Sequence, residues 1–200
     1  MHKIHAVTAV LAAVVAFTAA DGLAAPAARA AGATAPAAPD AIDQVADPGQ
    51  ATVHCAVEIQ PAAELAAAEA PVCFTTKGDV TRYLDAVTAS ERSRVDASGL
   101  AVASSVAVGT VYSNSNGGGS SLTFWGSSGC AGVTFGFASL PSNWSSIVSS
   151  GGGSNGCWAT MYASTGYAGS RINCTPWCGG LGALNDRVRS IVFRPTGTWG

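Results

Sequence analysis

Beyond residue 100 the chain has neither Lys nor His, and its one carboxylate there is Asp186. Only 11% of all residues are charged, and the formal net charge is -2. Each shortage excludes a class of function. Glycoside hydrolysis of the usual kind needs two carboxylates flanking a bond, which residues 101–200 do not supply. A Ser or Cys nucleophile needs a base within hydrogen-bond reach. The single candidate past the first residues is His54, next to Cys55, and it reads as a surface residue beside a disulfide. Glu58, Glu64 and Glu69 read as solvated groups, so no catalytic residue is expected and the chain is not read as an enzyme. A net charge near zero argues against a nucleic-acid partner. Zinc wants four close N or S ligands, whereas Cys174-Thr-Pro-Trp-Cys178 has three intervening residues and no His nearby.

What is present begins with an export signal. Lys3 with His2 and His5 makes a positive start, Ala6 to Ala20 is apolar but too short to span a bilayer, and Ala28-Arg-Ala30 offers a small-x-small cleavage site. Residues 1–30 are therefore expected to be a signal peptide, leaving a secreted, extracellular protein with no membrane contact after cleavage. Residues 31–50, rich in Ala, Pro and Asp, read as a linker or pro-segment. All six cysteines lie beyond the signal, an even number that points to disulfides in an oxidising compartment. The expected pairs are Cys55–Cys73, Cys130–Cys157 and Cys174–Cys178, a connectivity that sequence alone leaves open.

Residues 51–104 are expected to form a small helical segment. Pro61 to Ala70 has high helix propensity, and Asp79 looks like an N-cap for the run beginning at Val80. Val80, Tyr83, Leu84 and Val87 recur at helical spacing and give one apolar face. The segment reads as a cap that docks on the C-terminal half or is removed from it, or else as a spacer.

The texture changes near Val106. Short apolar runs, Val106–Tyr112, Leu122–Trp125, Val133–Phe137, Trp158–Tyr162 and Val188–Phe193, alternate with Gly/Ser clusters read as turns, including Ser149 to Asn155. Two copies of one pattern stand out. Tyr162-Ala-Ser-Thr-Gly-Tyr-Ala-Gly169 reads as a folded hairpin whose tyrosines cover the turn and whose Gly takes φ > 0. Tyr112-Ser-Asn-Ser-Asn-Gly-Gly-Gly119 repeats it, with Gly117 in place of the second aromatic. Leu140 to Ile147 comes after the first copy and matches Leu184 to Ile191 at Leu, Ser and Ile, so this half is an internal duplication.

These paired units resemble the βγ-crystallin domain, two Greek-key motifs packed as a small sandwich. The resemblance covers about residues 106–195. The expected fold is thus all-β, two Greek-key motifs over residues 105–196, preceded by a short α-helical N-terminal segment. Asn185-Asp186-Arg187-Val188-Arg189-Ser190 is similar to the family's calcium loop, where the acidic pair of one motif works with the fifth-position hydroxyl of the other. Aligning Pro141-Ser142 with Asn185-Asp186 places Ser145 at that fifth position, so the resemblance implies one weak Ca2+ site from Asn185, Asp186 and Ser145. Arg189 stands where the second site needs a hydroxyl, and Pro141 and Ser142 replace its acidic pair. The competing reading is that Asn185-Asp186 closes a turn and Asp186 pairs with Arg187 or Arg189.

By that alignment Trp144 matches Val188 and belongs to the core. Trp177, between two cysteines in a Pro-containing loop, is the expected exposed binding residue. The exported, disulfide-braced format is most similar to the secreted metalloprotease inhibitors of actinomycetes built on this fold. The resemblance therefore implies a non-catalytic, monomeric binding protein directed at an extracellular protease. The alternatives are a purely structural calcium-stabilised module or a cell-wall and carbohydrate-binding, toxin-like protein.

Overall fold

In β7 (Cys157–Ser164), Cys157, Ala159 and Met161 are buried between two sheets, while Trp158, Thr160 and Tyr162 alternate onto the opposite face. This two-residue period is what a strand packed on one side requires; the computed structural model describes residues 52–62, 70–98 and 104–199. The chain order is β1 (His54–Glu58), β2 (Val72–Phe74), α1 (Lys77–Ser98), β3 (Val106–Tyr112), β4 (Ser121–Gly126), β5 (Phe135–Phe137) and β6 (Ser150–Gly153). After β7 come β8 (Ala168–Cys174), β9 (Trp177–Cys178) and β10 (Ser190–Pro195).

The strands form two sheets, ordered β2-β1-β4-β3-β6-β9 and β5-β10-β7-β8. Set β1 and β2 aside and a two-fold exchange is visible. One sheet holds the first, second and fourth strands of motif one (β3, β4, β6) with the third strand of motif two (β9). The other holds the first, second and fourth strands of motif two (β7, β8, β10) with the third strand of motif one (β5). Two interlocked Greek keys make one sandwich, the βγ-crystallin-like fold expected. Its interior is filled by Phe124, Phe135, Phe193, Trp144, Leu122, Met161 and Ile191. Trp144 is fully buried, as expected of a core residue.

The repeat extends to the hydrogen bonds. Ser150 Oγ accepts from Gly117 N–H and donates to Asn114 O; Ser190 Oγ accepts from Tyr167 N–H and donates to Ser164 O. Both hairpins pass through the left-handed region at matching points: Asn116, Gly117 and Gly119 at φ 54, 75 and 70, against Gly166, Tyr167 and Gly169 at φ 66, 62 and 79. The serines therefore pin the two folded hairpins identically.

Four readings of the sequence change here. Ser149 to Asn155 is not merely a turn, since Ser150–Gly153 is strand β6, inside the larger sheet. Its glycines are required by close approach: a Cβ on Gly151 would lie 2.8 Å from Thr110 O, and one on Gly152 would overlap Pro176 O. Residues 51–104 are not only helical, because β1 pairs in parallel with β4 and in antiparallel with β2. Val53, Cys55, Val57 and Ile59 enter the sandwich core itself, so β1 is part of the sandwich and not a removable cover. The expected helix over residues 61–70 falls mostly outside the described residues.

The fourth change is the cap of α1. Thr76, not Asp79, precedes the helix: its Oγ1 accepts from Asp79 N–H at 3.2 Å and donates to the Asp79 carboxylate at 2.6 Å. This is a capping-box arrangement with Asp79 in the first turn, and Arg82 closes on Asp79 from the next turn. The expected apolar face holds. Val80, Tyr83, Leu84 and Val87 pack with Ala56, Phe74 and Trp125 on the outside of the larger sheet. The three disulfides are Cys55–Cys73, Cys130–Cys157 and Cys174–Cys178, as expected, and they fit an oxidising compartment. No helix among the described residues is long and apolar enough to cross a membrane.

Candidate functional site

The serines that open β6 and β10 set the register of the two loops before them. Ser150 corresponds to Ser190, so Ser149 corresponds to Arg189, Val148 to Val188, Ser145 to Asn185 and Ser146 to Asp186. The backbone agrees: Ser149 N–H donates to Tyr112 O at 2.9 Å and Arg189 N–H to Tyr162 O at 2.8 Å, and Val148 and Val188 are both fully buried. The alignment of Pro141-Ser142 with the acidic pair is therefore off by four residues. Trp144 matches Leu184, not Val188. A register slip of this kind is invisible in a Ser-rich loop, because Ser occurs at positions 142, 145, 146, 149 and 150 alike.

The consequence falls on the expected cation site. Ser145 does not meet Asp186; its hydroxyl donates to Ser142 O at 3.0 Å. The hydroxyl that reaches Asp186 is that of Ser149, 3.0 Å from Oδ1 and also 2.9 Å from Ser113 O. Asn185 Nδ2 donates to the other carboxylate oxygen at 2.6 Å. Asp186 sits at φ 56 and its N–H donates to Val148 O at 2.9 Å, which holds the two motifs' loops against each other. Non-Gly residues at such φ are uncommon, though Asp and Asn tolerate it best. The groups gathered are hard oxygens: one carboxylate, one hydroxyl and the Ser113 carbonyl at its side. They are oxygens of the kind Ca2+ takes, and only one of them carries a charge. Among the described residues, no three His, Cys, Asp or Glu side chains cluster, so a soft transition-metal site has no ligands there.

At the equivalent place in the other half, Ser145 and Ser146 stand for the acidic pair and Arg189 for the hydroxyl. Arg189 Nη1 donates to Val188 O at 3.4 Å. A guanidinium there repels a divalent cation. Among the described residues Asp186 makes no ion pair with Arg187 or Arg189; the one ion pair is Arg82–Asp79.

Trp177 is 46% exposed, on the disulfide-closed loop after the cis Thr175-Pro176 bond. It is not free-standing. Its ring meets Tyr112 edge-on at 5.7 Å and lies 3.7 Å from where a Cβ on Gly117 would stand. In motif two Tyr167 covers Tyr162 in the same way, at 6.1 Å. Trp177 thus supplies from β9 the aromatic that motif one lacks at Gly117. Lys77 Nζ sits 4.8 Å above the Tyr112 ring and reaches Gly117 O at 3.4 Å, so α1 also clamps this hairpin. Burial raises the Tyr112 hydroxyl above its ordinary pKa, and does the same for Tyr167 with help from Tyr162.

His54 departs from expectation. It is 7% exposed, on the face of β1 that α1 covers, with Nδ1 2.8 Å from Ser121 Oγ. Burial lowers its pKa first, and the charge of Lys77 lowers it further. The only cue in the sequence is alternation: His54 and Ala56 take one face while Cys55 and Val57 take the other.

No protein-family model matches the chain, and no curated protein matches it. Among solved structures it is similar to the N-terminal domain of protein S, at 23% identity and TM-score 0.33, over 44% of this chain and 97% of that one. It is also similar to a double mutant of a βγ-crystallin domain from Clostridium beijerinckii, at 19% identity and TM-score 0.36, over 44% of this chain and 98% of that one. A βγ-crystallin domain from Flavobacterium johnsoniae matches at 22% identity and TM-score 0.31, over 46% of this chain and 99% of that one.

Proposed function

We propose that this chain is an exported, non-catalytic binding module that holds one weak Ca2+ ion at Asp186 and presents its disulfide-closed Trp177 loop to an extracellular protease. The observation that supports the cation site is the Ser149–Asp186 hydrogen bond, which brings a hydroxyl and a carboxylate from different motifs together. Ca2+ takes about six to eight oxygens, so loop carbonyls and water would complete the set. The bound ion would tie the two Greek keys together where only hydrogen bonds now do. The inhibitor reading is supported by the loop itself. A Trp held by a disulfide and by Tyr112 loses little conformational entropy on docking.

The second reading, a purely structural calcium-stabilised module, is favoured by the same Trp177–Tyr112 contact, since a ring that completes a hairpin has a structural use already. Inhibition assays against secreted metalloproteases separate the two. Inhibition abolished by Trp177→Ala, with the fold intact by circular dichroism, supports the inhibitor. Calcium stabilisation with no inhibition of any protease leaves the structural module.

A further inference from the structure

The three disulfides differ in exposure. Cys55, Cys73, Cys130, Cys157 and Cys174 are buried, and Cys178 alone among the six cysteines is half-buried, packed against the core. They differ in span as well. Cys174 and Cys178 are 4 residues apart in sequence, against 18 and 27 for the other two pairs. A short loop removes the least entropy from the unfolded chain, so this bond adds least to global stability. Its effect is local. Cys174 ends β8 in the smaller sheet and Cys178 ends β9 in the larger one, so the bond staples one sheet to the other.

What depends on the staple is unequal between the motifs. Strand β9 is two residues long at a sheet edge, paired with Gly151 and Gly152 of β6. Around it, Gly153 N–H donates to Pro176 O at 2.9 Å and Asn116 N–H to Gly179 O at 2.8 Å. With these few bonds the strand carries Trp177 onto Tyr112, in the hairpin where Gly117 stands in place of an aromatic. In motif two the covering ring, Tyr167, belongs to the hairpin itself and needs no strand from elsewhere. Motif one alone has its aromatic cover on a disulfide-closed loop.

We propose that Cys174–Cys178 is a reversible redox switch, opened at Cys178 by a small external dithiol, that releases Trp177 and loosens the motif-one hairpin. A thiolate of the dithiol attacks Cys178 Sγ and forms a mixed disulfide, while Cys174 Sγ leaves with the bonding electrons and takes up a proton. The dithiol's second thiolate then attacks the dithiol-derived sulfur of the mixed disulfide and expels Cys178 as a thiolate, which is protonated in turn. The cysteines gain two electrons, the dithiol loses two and ends as a disulfide, and its two protons pass to the cysteines. Exchange depends on access to the sulfur attacked, and buried sulfurs are reached only through local unfolding. The short separation keeps the two thiols close, so an oxidant closes the ring again. The switch acts on the loop offered above to a protease, yet it stands without that partner. Its readouts are thiols and amides, not inhibition.

The test is native-state reduction of the oxidised full-length chain with graded dithiothreitol. Samples are quenched with iodoacetamide in denaturant for peptide mass mapping, and parallel samples are read by hydrogen exchange. Cys174 and Cys178 should be reduced at least about tenfold faster than the other four cysteines, whose sulfurs wait on local unfolding. At the dose that opens this bond alone, amides of residues 112–119 should exchange about tenfold faster or more, and those of 162–169 should stay as they were. Removing dithiothreitol and adding oxidised glutathione should restore both. The double variant Cys174→Ser, Cys178→Ser should show the fast 112–119 exchange with no reductant. If it does not fold, Trp177→Ala in the oxidised chain takes its place with the same expectation. Reduction of Cys55–Cys73 or Cys130–Cys157 as fast as Cys174–Cys178 overturns the proposal. So does selective opening that leaves residues 112–119 unchanged or loosens 162–169 equally.

Discussion

The Ser149 hydroxyl donates to Asp186 Oδ1 at 3.0 Å, joining residues 37 apart in sequence and belonging to different motifs. Ser145, four positions earlier, faces its own loop instead. Every expectation about the cation site turns on which serine is used.

Thermal unfolding in millimolar Ca2+ and in EDTA should therefore sort the variants. Wild type and Ser145→Ala should both gain stability with Ca2+, since a ligand that binds only the folded state must raise its stability. Asp186→Ala should lose the gain entirely, and Ser149→Ala most of it. A shift abolished by Ser145→Ala but kept in Ser149→Ala would contradict the register described above.

His54 makes stability depend on pH in a defined direction. Its folded-state pKa lies below the ordinary value of 6.5, so the folded protein binds fewer protons than the unfolded chain as pH falls. The neutral-form stabilisation is present above about pH 6.5 and is lost progressively below it, toward the lowered folded value. Urea midpoints measured down through this range should fall in wild type and fall less in His54→Gln. Identical slopes in the two proteins would assign the acid sensitivity elsewhere.

Strand β1 offers a clean test of whether the N-terminal segment belongs to the sandwich. Val57 is fully buried in the shared core, and Val57→Ala should cost about 2 kcal/mol through lost burial and a residual cavity. A spacer residue would show no change in the denaturant midpoint.

The Cys55–Cys73 bond joins register partners of β1 and β2. Replacing both by Ala should lower stability by about 3 kcal/mol, mainly by freeing the unfolded chain. The double variant should still show the calcium response, because the bond lies at the far edge of the sheet from β9.

Trp144 is fully buried among the sandwich residues, with its Nε1 lacking a partner. Trp144→Ala should cost about 3–5 kcal/mol. Trp144→Phe should cost much less, since the larger part of the apolar ring is kept and an unsatisfied donor is removed.

The sequence by itself determined much of the Greek-key half. Short apolar runs bounded by Gly and Ser placed β3, β4, β5, β7 and β10, and the repeated Tyr and Gly spacing marked both hairpins, since φ > 0 at Gly119 and Gly169 is a local demand of the turn. Local demands also marked the apolar face of α1, because i, i+3, i+4 spacing is a property of one helix. Three features were decided only by tertiary structure. Strand β6 looks like a loop because its glycines answer to neighbours packed against them, not to their own backbone preference. The true partner of Asp186 emerged from the two-fold match of Ser150 with Ser190, which a run of interchangeable serines hides. And β1 reads as an ordinary segment of a charged half until β4 offers it an open edge and a core to fill, for a short strand owes its existence to the strand beside it.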